Sequence, residues 1–220
     1  VPVIGLVGAI GAGKSHVAAC LARKGALILD ADAIGHVLLE QSPSRDRVLE
    51  RFGAGILAAR SDENPTADPP IDRRALGRIV FADPQSLSDL EAILHPVMRK
   101  TFERAIAREG RRERVPAVVL DAAVLYEAEW DSLCDTIVYV DASRPTRLAR
   151  LAASRGWTSE VLEARERAQW PADRKKQSAD FILVNEAESP ADPESTALVD
   201  TLWPRLLLIP RRSDPARERY

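Results

Sequence analysis

Eight consecutive residues constrain this chain more than any other feature: Gly8-Ala9-Ile10-Gly11-Ala12-Gly13-Lys14-Ser15 fits the spacing G-x-x-x-x-G-K-[ST]. The apolar run from Val3 to Val7 just ahead reads as a buried strand, and Lys14 to Ala22 reads as a helix. A strand, a glycine-rich turn and a helix in that order converge backbone N–H groups and the positive end of a helix dipole on one point. That point suits phosphate. Lys14 is placed to reach β- and γ-phosphates and the Ser15 hydroxyl to ligate Mg²⁺. Gly8, Ala9, Ile10, Gly11, Ala12, Gly13, Lys14, Ser15 and the following His16 are therefore the expected nucleotide-binding segment.

Four further apolar runs have strand length: Ala26–Leu29, Ala117–Leu120, Thr136–Val140 and Phe181–Val184. Helical patterns separate most of them, which predicts a doubly wound parallel sheet. Asp30, Asp121 and Asp141 follow strands two, three and four, at the carboxyl ends where open α/β sheets bind ligands. An Asp after a strand is also a common turn former, so each has that second reading.

Between strands two and three the gap far exceeds one crossover helix, so an insertion is expected there. Its pattern is helical over Ala33–Glu40, Ser44–Phe52, Arg73–Phe81 and Pro84–Arg108, with Asp83 a natural N-cap and Pro96 expected to kink or divide the last helix after His95. Ser61–Pro70 reads as a surface loop. A second elaboration, residues 144–178, is dense in arginine; Ser143 and Pro145 start one helix there and Thr158 another, predicting a helical lid. The expected organisation is a nucleotide-binding core of residues 1–31, 115–143 and 179–209, an inserted helical substrate domain over 32–114, a lid over 144–178, and a disordered tail over 210–220.

With 45% hydrophobic residues in 220, the chain can bury one substantial core, and 31 basic against 33 acidic residues leave a net charge of −2. No overall field recruits nucleic acid or an anionic membrane, and no obligate protein partner is evident. Two cysteines, Cys20 and Cys134, fit a reducing cytosol and a cytoplasmic protein. No run approaches a membrane span, and the N-terminal run is too short and lacks the basic leader of a signal peptide. A first residue Val1 in place of Met points to processing or trimming. Three histidines without metal-ligand spacing argue against zinc.

A guanine-reading N-K-x-D motif is missing, since Asn185 precedes Glu186-Ala187-Glu188. The remaining motifs resemble one family of small-molecule kinases in order along the chain. Gly5 to Ser15 is close to GLTGGIGSGKS. Asp30-Ala31-Asp32 matches D-A-D, Phe52-Gly53 matches F-G, and Ile71-Asp72-Arg73-Arg74-Ala75-Leu76 matches L-D-R-x-x-L. Leu94-His95-Pro96 matches I-x-H-P, Asp121 to Glu127 matches D-x-P-L-L-F-E, and Gln169, Lys175 and Ala179–Asn185 complete the series. The chain thus resembles dephospho-CoA kinases over roughly residues 3–189. Ala123 replaces the family's Pro, Ala9 its second loop glycine, and Arg150 and Arg155 stand one residue further apart than in many members.

The resemblance implies an α/β P-loop NTPase fold, a five-stranded parallel sheet flanked by helices with an inserted helical domain and a lid. It implies ATP-dependent phosphorylation of the ribose 3′-hydroxyl of dephospho-CoA, the last step of coenzyme A biosynthesis, with ATP and Mg²⁺. Asp32 would accept or orient the hydroxyl proton, unless it caps the helix from Ala33. Lys14, Arg150 and Arg155 would stabilise the transferring phosphoryl, the arginines having a solvated-face alternative. Ser15 and Asp121 would hold the metal, Asn185 would read the adenine edge or form a turn, and Arg73 and His95 would meet the acceptor, His95 otherwise fixing the kink.

Overall fold

A computed structural model describes residues 1–59, 68–112, 114–187 and 193–210. Most of the loop expected over 61–70, from 61 to 67, lies outside the described residues, as does the tail from 211 to 220. Among the described residues no helix is long and apolar enough to cross a membrane.

The apolar runs become five parallel strands: β1 (Val3–Gly8), β2 (Leu27–Asp30), β3 (Val118–Asp121), β4 (Thr136–Asp141) and β5 (Phe181–Val184), in the order β2-β3-β1-β4-β5. Four of them run one residue past the apolar stretch, because ladder hydrogen bonds join backbones whatever the side chain carries. The register then fixes the chemistry. Asp121 is the Cα partner of both Leu6 and Asp30, and Gly8 that of Val140, so Asp30, Asp121 and Asp141 line up at the carboxyl edge around the end of central β1.

Alternation along the strands sends Ile4, Leu6, Val119, Val138, Val140 and Leu183 to one face. There they bury Val17, Ala18 and Leu21 of α1 (Lys14–Arg23) and Val199 and Leu206 of α9 (Pro193–Leu207). No helix is read from the sequence over 193–207, because Pro193 and Pro204 interrupt its pattern. Trp130, 1% exposed, meets Phe102 edge-on at 5.0 Å.

The chain divides into two compact units. The first comprises Val1–Asp30 and the chain from Phe102 onward; the second is Ala31–Thr101. The second unit is built from α2 (Ala31–Leu39), α3 (Ser44–Phe52), α4 (Arg73–Ala82) and the first part of α5 (Pro84–Arg112). The last turns of α5, read from the sequence as part of the insertion, belong with the sheet. Asp72 caps α4 by accepting from the N–H groups of Arg74 (2.9 Å) and Ala75 (3.1 Å), and Asp83 caps α5 by accepting from Ser86 N–H at 2.9 Å.

Two helix expectations are corrected. Helix α5 is not divided at Pro96 but runs unbroken for 29 residues, because a proline removes one donor from a ladder that neighbouring turns hold. Helix α2 starts at Ala31, not Ala33, which puts Asp32 inside the first turn and removes its reading as the N-cap. In the first unit follow α6 (Arg144–Arg155), capped by Ser143 and closed by Gly156, then α7 (Ser159–Arg167) and the short α8 (Ala172–Gln177).

Candidate active site

The loop after β1 is folded by its own backbone. Ala9 N–H donates to Val140 O at 3.2 Å, Ala12 N–H closes the turn onto Ala9 O at 3.0 Å, and His16 and Val17 N–H groups donate to Gly13 O. Gly13, the residue before α1, has φ +93, a conformation that favours glycine, and offers the helix no side-chain cap. Among the described residues no protein acceptor takes the N–H groups of Ile10, Gly11, Gly13, Lys14 or Ser15. Five uncommitted donors around an uncapped helix start form a cradle for anionic oxygens. Polyphosphate fits it.

The Lys14 Nζ forms an ion pair with Asp121 at the end of β3, whose carboxylate is buried. The Ser15 hydroxyl is exposed in the first turn of α1. Hydroxyl and carboxylate oxygens are the hard donors Mg²⁺ takes, so these two side chains suit that ion. His16 lies 3.3 Å from Cys20 Sγ, and burial, aided by Arg23 and Arg150, holds its imidazole below the usual histidine range. It is neutral at pH 7 and adds no charge to the cradle.

Helix α6 and the turn after β5 close on the loop. Arg147, buried, donates through Nη1 to Ile10 O (3.1 Å) and Glu166 Oε1 (2.6 Å) and through Nε to Ala142 O (3.2 Å). Arg150 donates to Gly11 O (3.3 Å), Asn185 O (3.0 Å) and Ala187 O, and its buried Nε has no acceptor. Burial lowers its pKa. Expected on the transferring phosphoryl, Arg150 is committed to backbone carbonyls. Asn185, expected to read the adenine edge or form a turn, is 1% exposed and donates one amide N–H to Ala12 O at 3.0 Å, which ties it to the loop. Arg155 is not brought to the loop: it is exposed, 5.2 Å above the Trp157 ring.

Behind the loop Lys175, within the stretch read as the lid, is 2% exposed and donates to Ala123 O (2.6 Å), Glu127 Oε1 (2.8 Å) and Gln169 Oε1 (3.1 Å). An ammonium has three protons, and all three are used. Glu127 also accepts Trp170 N–H at 2.8 Å, and Tyr126 stacks on Trp170 with centroids 5.6 Å apart. This knot ties the segment after β3 to the base of the lid. Lys175→Met is expected to leave the half-buried Glu127 carboxylate without its cationic partner, with only the Trp170 N–H still donating to it, and to cost about 3 kcal/mol. Urea unfolding measures this, and adding Glu127→Gln should recover a large part of the loss.

A cavity of about 200 Å³ opens between Gly8–Ile10 and Tyr139, Arg147, Glu166 and Trp170. Burial, reinforced by Asp141, pushes the Tyr139 phenol up to about 12, so it is a neutral hydroxyl at any working pH. Glu166 and Trp170 carry no site signal in the sequence. Sequence spacing places them on a charged helix and beside a proline, and only the fold brings them against Gly8–Ile10.

Asp32, Arg73 and His95 all belong to the second unit. Asp32 is exposed in the first turn of α2 and Arg73 is the exposed first residue of α4. His95 is half-buried in α5, and burial lowers its pKa, so it is a neutral hydrogen-bonding group.

Residues 2–191 match the family described as CoaE, dephospho-CoA kinase. A curated dephospho-CoA kinase of Symbiobacterium thermophilum is 42% identical over 204 residues, 91% of this chain and 80% of the relative. One of a Synechococcus strain is 37% identical over 198 residues, covering 89% and 91%. Among solved structures, one from Thermus thermophilus superposes with a TM-score of 0.71 at 32% identity over 93% of this chain and 96% of that one. The dephospho-CoA kinase of Campylobacter jejuni has the same fold, with a TM-score of 0.66 at 19% identity and the same coverage.

Proposed function

The chain belongs to the dephospho-CoA kinase family, and we propose that it carries out that reaction with Lys14 and Asp32 as its two principal catalytic groups. The family's activity is ATP-dependent phosphorylation of dephospho-CoA to CoA, the last step of CoA biosynthesis, with ATP and Mg²⁺. The observation that carries the reading is the cradle of uncommitted N–H groups with Lys14 at its rim.

A ribose 3′-hydroxyl is a poor nucleophile, so a carboxylate must orient it and take its proton as the phosphoryl group arrives. Asp32 is assigned that role: it is an exposed carboxylate, and as a first-turn residue of α2 its side chain is not the N-cap. The Lys14 ammonium and the N–H groups of Gly11 and Gly13 hold the β- and γ-phosphates and stabilise charge developing there. Ser15 and Asp121 would hold Mg²⁺, which when bound would supply positive charge against the polyphosphate. Arg155, exposed at the end of α6, is assigned to the transferring group on lid closure. The helical unit, through Arg73 and neutral His95, binds the acceptor, and the enzyme works in the cytoplasm without an obligate partner.

The test is ADP release from ATP and Mg²⁺ with a panel of acceptors. Dephospho-CoA should turn over at least about 10²-fold more efficiently than AMP or shikimate, the size of discrimination that a few lost polar contacts produce. Equal rates across the panel, or none with dephospho-CoA, would overturn the reading.

A further inference from the structure

Three successive carbonyls of the phosphate loop each accept a hydrogen bond from a side chain outside it. Ile10 O takes Arg147 Nη1 at 3.1 Å, Gly11 O takes Arg150 Nη1 at 3.3 Å, and Ala12 O takes Asn185 Nδ2 at 3.0 Å. In a trans peptide the C=O of one residue and the N–H of the next point in opposite directions. Fixing these carbonyls therefore fixes the N–H groups of Gly11, Ala12 and Gly13. That of Ala12 closes the turn onto Ala9 O; those of Gly11 and Gly13 have no acceptor among the described residues.

The fixing groups are themselves anchored. Arg147 is held by Glu166 at 2.6 Å and Ala142 O at 3.2 Å, and Arg150 by Asn185 O at 3.0 Å and by Ala187 O. The packing leaves no slack: a Cβ on Gly11 would lie 2.9 Å from Leu151 Cδ1 and 3.1 Å from Arg147 O, and one on Gly13 would overlap Asn185 Nδ2. Gly11 and Gly13 both have positive φ (+83 and +93), so without the straps their peptide planes have other orientations open to them.

We propose that Arg147, Arg150 and Asn185 are positioning residues that strap the phosphate loop by its carbonyl side. The lid helix and the turn after β5 thereby set the enzyme's affinity for the β-phosphate of the nucleotide, and Arg150 acts through the loop rather than on the transferring group. Preorganisation of this kind raises affinity by removing the ordering cost of binding. The proposal rests on the phosphate-loop reading of residues 8–15.

Titration calorimetry of Mg²⁺–ADP on the full chain, paired with kcat at saturating ATP, tests it. A lost charged hydrogen bond in this range corresponds to a weakening of about 10-fold or more. Arg150→Met should weaken ADP by that much and Asn185→Ala, which loses a neutral bond, by about 3-fold or more, with binding sites per chain unchanged and kcat lowered less than the ADP affinity. Arg150→Lys, which keeps a donor, should lose less, and if Arg150→Met fails to fold it carries the test alone. A merely structural role would lower the number of competent sites and leave the dissociation constant alone. An unchanged ADP affinity with a kcat lowered 10-fold or more would overturn the proposal and return Arg150 to the transferring phosphoryl. A wild-type chain that binds no ADP would instead bring down the loop reading itself.

Discussion

Lys14→Ala is expected to lower kcat/KM by at least about 10²–10³-fold, the size of effect that follows loss of one preorganised charge at a developing anion. The loop N–H groups remain in the variant, so ATP should still bind, more weakly. The same substitution strips Asp121 of its ion-pair partner at a position only 6% exposed, so a drop in stability is expected too. The double variant Lys14→Ala/Asp121→Asn separates the two effects: its melting temperature should recover towards wild type while its turnover does not. Turnover near wild type in Lys14→Ala would remove the loop from the reaction.

Asp32→Asn should cut kcat by about 10²–10⁴-fold, the usual weight of a general base, with dephospho-CoA and ATP binding within a few-fold of wild type. Stability should hardly change. Asp32 sits in the first turn of α2 rather than at its cap, and losing one negative charge there costs about 0.3–1 kcal/mol. Normal turnover in this variant would move the base to Asp30 or Asp121, Cα partners at the ends of β2 and β3. A melting temperature lowered by many degrees would mark Asp32 as a structural residue.

How much of this was legible in the sequence follows from the range of each interaction. The strands and the loop were readable because burial writes apolar runs and phosphate binding writes fixed glycine spacings, both within a few residues. The caps at Asp83 and Ser143 were readable for the same reason. The arginines of α6 were not. Arg147, Arg150 and Arg155 look alike in the sequence, and what separates them is Gly11, the 185–187 turn and Trp157. Asn185 belongs to the same class: its motif position was visible, but its role depends on Ala12, far away along the chain. At Pro96 the local rule allows a kink or a division, and a long packed helix absorbs one missing bond without dividing.

The central claim is that the γ-phosphoryl of ATP moves to the 3′-hydroxyl of dephospho-CoA on this chain. Incubation with γ-³²P-labelled ATP, Mg²⁺ and dephospho-CoA, followed by separation of the products and location of the label, tests it directly. The account predicts one labelled phosphate per acceptor, on the ribose 3′ position, matched by ADP released. ADP formed with no label on the acceptor, or label on the acceptor away from the ribose 3′ position, would contradict it.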